Sequence, residues 1–187
     1  MSGKILCCIL SLMLMLGGCE SGSADIGGVA EYYAGLESVS AEAEIKTNSG
    51  ALICYEISFL REGDTDSVTI LSPESIAGIT ARLTEGKTEI VYEDLALETL
   101  LPDISGYAPA DAVSGMIEDL ESRMPEEYGF ASLDGAETIK MIFKDEYDGG
   151  DISKIIWVSK EDFSPIRAEF YIEDTMVMEL QITSFSD

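Results

Sequence analysis

The chain has 187 residues, no histidine, and 36 acidic against 11 basic side chains, for a formal charge of −25. Without histidine there is no usual general base, no usual zinc ligand and no Ser-His or Cys-His nucleophile pair, which removes most hydrolase mechanisms. A charge this negative excludes nucleic acid as a partner, and anionic lipid headgroups repel it.

The chain opens with Lys4, an apolar run from Ile5 to Leu16, and then Gly17, Gly18 and Cys19. One positive charge, an apolar stretch well short of the roughly 20 residues that span a bilayer, and small residues before a cysteine predict a secretory signal peptide over residues 1–18. Leu16-Gly17-Gly18-Cys19 resembles a bacterial lipobox. That resemblance implies cleavage after Gly18 and a diacylglyceryl anchor on Cys19, so that the protein is held on the outer side of the cell membrane by lipid. Lys4 would leave with the signal, so the mature chain would keep ten basic residues against 36 acidic ones and carry −26. Cys7 and Cys8 would leave too, and Cys54 would be the one free thiol. It lies in a strand-like run, where burial as a small hydrophobe is expected.

Residues 19–28 are small, polar and glycine-containing, and read as the lipidated cysteine and a flexible tether; residues 29–187 read as one domain. Tyr32, Tyr33 and Leu36 at helical spacing predict a short helix over Val29 to Leu36. The period then becomes two. Val39, Ala41, Ala43 and Ile45 alternate with Ser40, Glu42, Glu44 and Lys46, and Ile53, Tyr55, Ile57 and Phe59 repeat the pattern beyond an Asn48-Ser49-Gly50 turn. Strands are expected at Val68 to Leu71, Ile79 to Leu83 and Glu89 to Tyr92, the last two joined by a tight hairpin at Glu85-Gly86-Lys87.

From Pro109 to Met124 the period is helical. Ala112, Val113, Met116, Ile117 and Leu120 form one side, and Asp111, Glu118, Asp119 and Glu121 the other, with Pro125 as the stop. Strands return at Ile139 to Phe143, Ile155 to Val158, Ile166 to Ile172 and Met176 to Ile182. The fold class is α+β, a curved antiparallel sheet with a helix inserted between its halves. The apolar set Ile45, Ile57, Phe59, Ile79, Ile90, Phe170 and Met178 is in phase with its strands and is expected on one side of that sheet. Met176 and Met178 suit either core filling or an adaptable apolar groove. The run Asp145 to Asp151 carries carboxylates, yet it lacks the alternating ligands of a calcium loop, and a hairpin turn accounts for it; no metal and no cofactor is expected.

Leu71-Ser72-Pro73-Glu74-Ser75, followed by Leu83-Thr84-Glu85-Gly86-Lys87-Thr88-Glu89-Ile90-Val91-Tyr92, resembles the centre of the outer-membrane lipoprotein carrier (LolA-like) superfamily. Ile156 to Glu169, with Trp157, Pro165 and Arg167, resembles its second recurring segment. The resemblance covers most of residues 29–185. It implies an unclosed antiparallel half-barrel with helices over an apolar concave face that holds acyl chains, lipoprotein anchors or partner segments and does no chemistry. It also sets Arg61 near the place of the carriers' gating arginine. The soluble carriers lack a lipobox, and among anchored relatives the chain looks most like the germination lipoproteins of endospore-forming bacteria, which support a cortex peptidoglycan amidase. Three readings follow: a non-enzymatic anchored accessory protein that docks a cell-envelope or cell-wall enzyme, a receptor for lipid or lipoprotein acyl chains, and, fitting least well, a carboxylate-pair enzyme.

Overall fold

The computed structural model of the chain describes residues 24–48, 52–84, 87–92, 95–99, 106–148 and 150–187. Cys19, Gly18, most of the tether, and Ser49, Gly50, Glu85 and Gly86 of the two expected turns lie outside the described residues.

Helix α1 covers Ile26–Ala34 and begins earlier than helical spacing alone indicates, because Asp25 caps it: Gly28 N donates to Asp25 Oδ1 at 2.9 Å. The capped turn takes in Gly27 and Gly28, glycines that by composition read as tether. Six strands follow: β1 (Ser38–Asn48), β2 (Leu52–Glu62), β3 (Thr65–Ser72), β4 (Thr80–Thr84), β5 (Lys87–Tyr92) and β6 (Leu95–Thr99). Helix α2 (Ala112–Ser122) then precedes five more: β7 (Glu127–Leu133), β8 (Ala136–Tyr147), β9 (Gly150–Ser159), β10 (Pro165–Ile172) and β11 (Thr175–Ser186). The acidic run at Asp145 to Asp151 is the β8–β9 hairpin, with Asp148 at a positive φ of 51°.

All these strands form one antiparallel sheet in the order β6-β5-β4-β3-β2-β1-β11-β10-β9-β8-β7. It is an unclosed half-barrel. Each neighbour is a hairpin partner except β1 and β11, which join the two ends of the chain at the sheet's centre. β6 and β7 follow one another in sequence yet occupy opposite edges, so the segment between them has to cross one face of the sheet. That segment carries α2, and α1 packs beside it. Both helices share one core with the concave face.

The register makes the two faces explicit. Tyr55, Ile45, Leu180, Ala168, Ile156 and Met141 stand side by side across β2, β1, β11, β10, β9 and β8, and all face the helices. One step along each strand, the row Cys54, Lys46, Glu179, Glu169 faces the other way. Cys54 is therefore exposed, which corrects the expectation of a buried thiol. The period of two puts position 54 on the wet side whatever the residue's hydrophobicity.

Candidate functional site

Of the apolar residues that phase sets on one side of the sheet, Ile45, Ile57, Phe59, Phe170 and Met178 lie in the core under the helices, each at most 2% exposed. Ile90 stands opposite Ala81 on β4 and is half-buried on the β3 to β6 wing. Ile79 precedes β4 and is half-buried, its carbonyl accepting from Ile70 N at 2.9 Å. Met178 fills core, while Met176, two residues nearer the strand end, is exposed. With Ile53 on β2 and Ile172 on β10, also exposed, it belongs to the strand ends that meet at Asn48↔Leu52 and Ile172↔Thr175.

A charged cluster interrupts this apolar floor. Phe170 on β10, Lys154 on β9 and Phe143 on β8 are cross-strand neighbours, so Lys154 occupies a core position. Its Nζ lies 2.7 Å from Asp119 Oδ2 on α2, with the two side chains only 6% and 5% exposed. The contact is an ion pair rather than an aligned hydrogen bond, since Asp119 Oδ2 receives no such bond. Asp119 Oδ1 takes Arg123 Nη1 at 2.8 Å, and Arg123 reaches on to Asp145 on β8 at 2.9 Å. The Lys154 ammonium also sits over the Tyr107 ring, 5.6 Å from its centroid. Gly106, at φ 81°, passes so close that a Cβ there would meet Lys154 Nζ at 2.9 Å.

Asp111, which ends the loop before α2, is buried and accepts from Gly106 N at 2.9 Å and Ala108 N at 3.0 Å. Burial pushes its carboxyl above the usual range, and those two amides and the nearby Lys154 pull against the shift. Burial likewise raises the Tyr107 phenol well above its ordinary value, helped by Asp119 and Asp145. Charge alone sets Asp111 and Asp119 on the wet side of α2, and the structure corrects this. Both are buried, because the chain crosses the concave face there and they hold the crossing segment down.

At the far end of α2, Arg61 forms a two-pronged pair with Asp66 on β3 at 2.6 and 2.8 Å, and its guanidinium lies 3.9 Å from Glu121. Arg61 thereby links the β2–β3 hairpin to the helix. Sequence periodicity carried one overlooked signal for this site: Lys154 falls in phase with Ile152, Ile156 and Val158, and a cation on an apolar period requires a partner.

What the arrangement offers is attachment and packing. Asp119 and Asp145, which share Arg123, are each bound to cations. Trp157 on β9 belongs to the opposite face, where it is buried under Lys140, whose ammonium is 5.5 Å from its ring centroid. Among the described residues, no helix is long and apolar enough to cross a membrane.

No protein-family model matches the chain. No curated protein matches it either. Among solved structures it is similar to a conserved protein from Thermus thermophilus, at 15% identity over 86% of this chain and 84% of that one, with a TM-score of 0.55. It is also similar to a LolA superfamily protein from Nitrosomonas europaea, at 15% identity, 88% and 93% coverage and a TM-score of 0.44. The Mycobacterium tuberculosis lipoprotein LppX gives 14% identity, 87% and 93% coverage and a TM-score of 0.47. At these identities the likeness to the Thermus protein is one of fold.

Proposed function

We propose that this chain is a lipid-anchored extracytoplasmic protein without chemistry of its own, which docks a cell-envelope or cell-wall enzyme. The packed centre of the concave face carries the reading. Ile45, Ile57, Phe59, Phe170 and Met178 occupy the place where an acyl chain would lie, and α2 is tied over them by Lys154, so binding falls to the outer surfaces. The absence of histidine and the engagement of the buried carboxylates with cations or backbone amides support a non-enzymatic role. Leu16-Gly17-Gly18-Cys19 supports an anchor at Cys19, and the resemblance to germination lipoproteins supports a cortex amidase as the docked enzyme. Photo-cross-linking from exposed positions in native membranes is expected to yield one discrete adduct with an envelope enzyme. A saturable fluorescent fatty acid on the purified domain, with no such adduct, would overturn docking.

The alternative is a receptor for lipid or lipoprotein acyl chains, favoured by the exposed Ile53 and Ile172 at one end of the concave side. It predicts that fatty-acid binding exists and is lost in Ile172→Asp.

A further inference from the structure

β7 is one of the two edges of the open sheet, and an edge strand presents a row of backbone donors and acceptors to any extended chain. Natural edges are guarded by inward charges, proline, bulges or short length. β7 has none of these. Its register with β8 runs unbroken from Glu127↔Ile142 to Leu133↔Ala136. Within it Glu127 is the sole charged residue; it lies at one end, its carboxylate held below the usual range by the Lys144 ammonium 2.8 Å away. Tyr128 and Phe130 stand beside the buried Met141 and Ile139 on the concave side, yet each is 48% exposed. Phe130 has the Lys160 ammonium over its ring, 4.8 Å from the centroid, but the outward backbone and side-chain edge of the strand is unpaired, and two aromatic rings along such an edge are half of a sheet seam.

We propose that β7 pairs antiparallel with β7 of a second copy about a two-fold axis at Gly129, continuing the sheet across the dimer. Residues directly opposite in an antiparallel pair share a face, so a symmetric seam has to be centred on a residue. Centring on Gly129 sets Tyr128 opposite Phe130 of the second copy, and Phe130 opposite its Tyr128. Both exposed aromatics gain the kind of cross-strand pair that stabilises sheets. Centring on Tyr128 would set Phe130 against Glu126, and centring on Phe130 or Ala131 would set Tyr128 against Ser132 or Asp134. At the axis, Gly129 leaves open space: a Cβ there would meet nothing within 4 Å. The net charge does not forbid this. Exposed charges are screened beyond about 8 Å at physiological ionic strength. At the seam itself Glu126 and Glu127 already face Lys144, at 3.9 and 2.8 Å.

The test uses residues 20–187, which contain every described element of the fold, with Cys54→Ser. Cα atoms of directly opposed residues lie about 4.5 to 5.5 Å apart, within disulfide range, so Gly129→Cys is expected to give an air-oxidised covalent dimer. Ala131→Cys, opposed by Glu127, is expected to give none. Sedimentation of the parent protein is expected to show a dimer that Phe130→Lys weakens by roughly two- to thirtyfold, through loss of both aromatic pairs. Leu52→Lys, at an exposed position on β2, should leave the dimer intact. A monomer throughout the micromolar range, equal cross-linking from both cysteines, or a dimer indifferent to Phe130→Lys would overturn the proposal.

Discussion

Removing either partner of the Lys154–Asp119 pair is expected to destabilise the fold unequally. At 2.7 Å the Coulomb attraction is about 6 kcal/mol at an effective dielectric of about 20. The desolvation of two side chains that are 6% and 5% exposed offsets most of that, at several kcal/mol per ion. The pair is thus worth little as a pair, and the cost lies in leaving one charge behind. Asp119→Leu strands Lys154, leaving it the face of Tyr107 and the more distant attraction of Asp111, and is expected to cost about 3 to 5 kcal/mol. Lys154→Met leaves Asp119 still bound to Arg123 at 2.8 Å and should cost less, about 1 to 3 kcal/mol. The double variant removes both buried charges and is expected to recover at least about 2 kcal/mol relative to Asp119→Leu alone. Urea unfolding of residues 20–187 reads these differences. With a slope of about 2 kcal/mol per molar, Asp119→Leu moves the midpoint down by about 1.5 to 2.5 M. A larger loss for Lys154→Met, or a double variant below both single ones, would refute the reasoning.

Cys19→Ala is expected to abolish incorporation of labelled lipid, and unchanged labelling would remove the anchor from the functional reading. Phe170→Ala should cost about 3 to 5 kcal/mol in urea unfolding, since transfer and cavity terms both apply to a fully buried ring; a loss well under about 1 kcal/mol would mean that the floor is open instead of packed. Asp111→Ala removes the acceptor of two amides at the crossing segment and should lower stability by about 2 to 3 kcal/mol, seen as a lower unfolding midpoint with an unchanged slope.

Alkaline titration followed by tyrosinate absorbance should find Tyr32 and Tyr171 ionising near pH 12, each held up first by partial burial and then by nearby carboxylates, Asp187 and Glu169 respectively. Tyr33 and Tyr107, raised mainly by burial, should ionise still later or only on unfolding. A phenol with a raised folded pKa contributes stability that is complete below its unfolded value of 10.0 and is lost as pH rises through the folded value. Stability should therefore fall above about pH 10; complete tyrosinate absorbance before any loss of the folded far-ultraviolet signal would contradict this.

Strands with a full apolar and a full polar face were legible in the sequence. Val39 to Ile45, Ile53 to Phe59 and Met176 to Ile182 are the middles of β1, β2 and β11, because each has a buried side and a wet side and the period of two records both. β6 and β7 were not anticipated. Both are edges, and in β7 the alternation covers only Tyr128 and Phe130 before Ala131 and Leu133 fall on the other phase, leaving it too short to register. Helix α2 was legible in position, from its apolar stripe and Pro125, but not in its electrostatics. Periodicity marks Asp111 and Asp119 as polar and therefore wet. Their burial follows from the long-range fact that β6 and β7 sit at opposite edges, which no local window contains.

That same topology explains why the centre of a face built like a cup is packed with side chains. A chain that must cross from one edge of an open sheet to the other lays a connection over the concave side, and an amphipathic helix there buries its own stripe in place of a ligand. Ala112, Val113, Met116, Ile117 and Leu120 do this, and Lys154, Arg61 and Arg123 then hold the helix by charges drawn from both wings of the sheet. An ion pair from each wing fixes the lateral position of α2 more narrowly than apolar contact alone, which is non-directional. If the pairs set position more than stability, the Lys154→Met and Asp119→Leu double variant should fold at near-parent stability but show broadened amide resonances along α2. Sharp resonances unchanged from the parent would assign the positioning of α2 to packing alone.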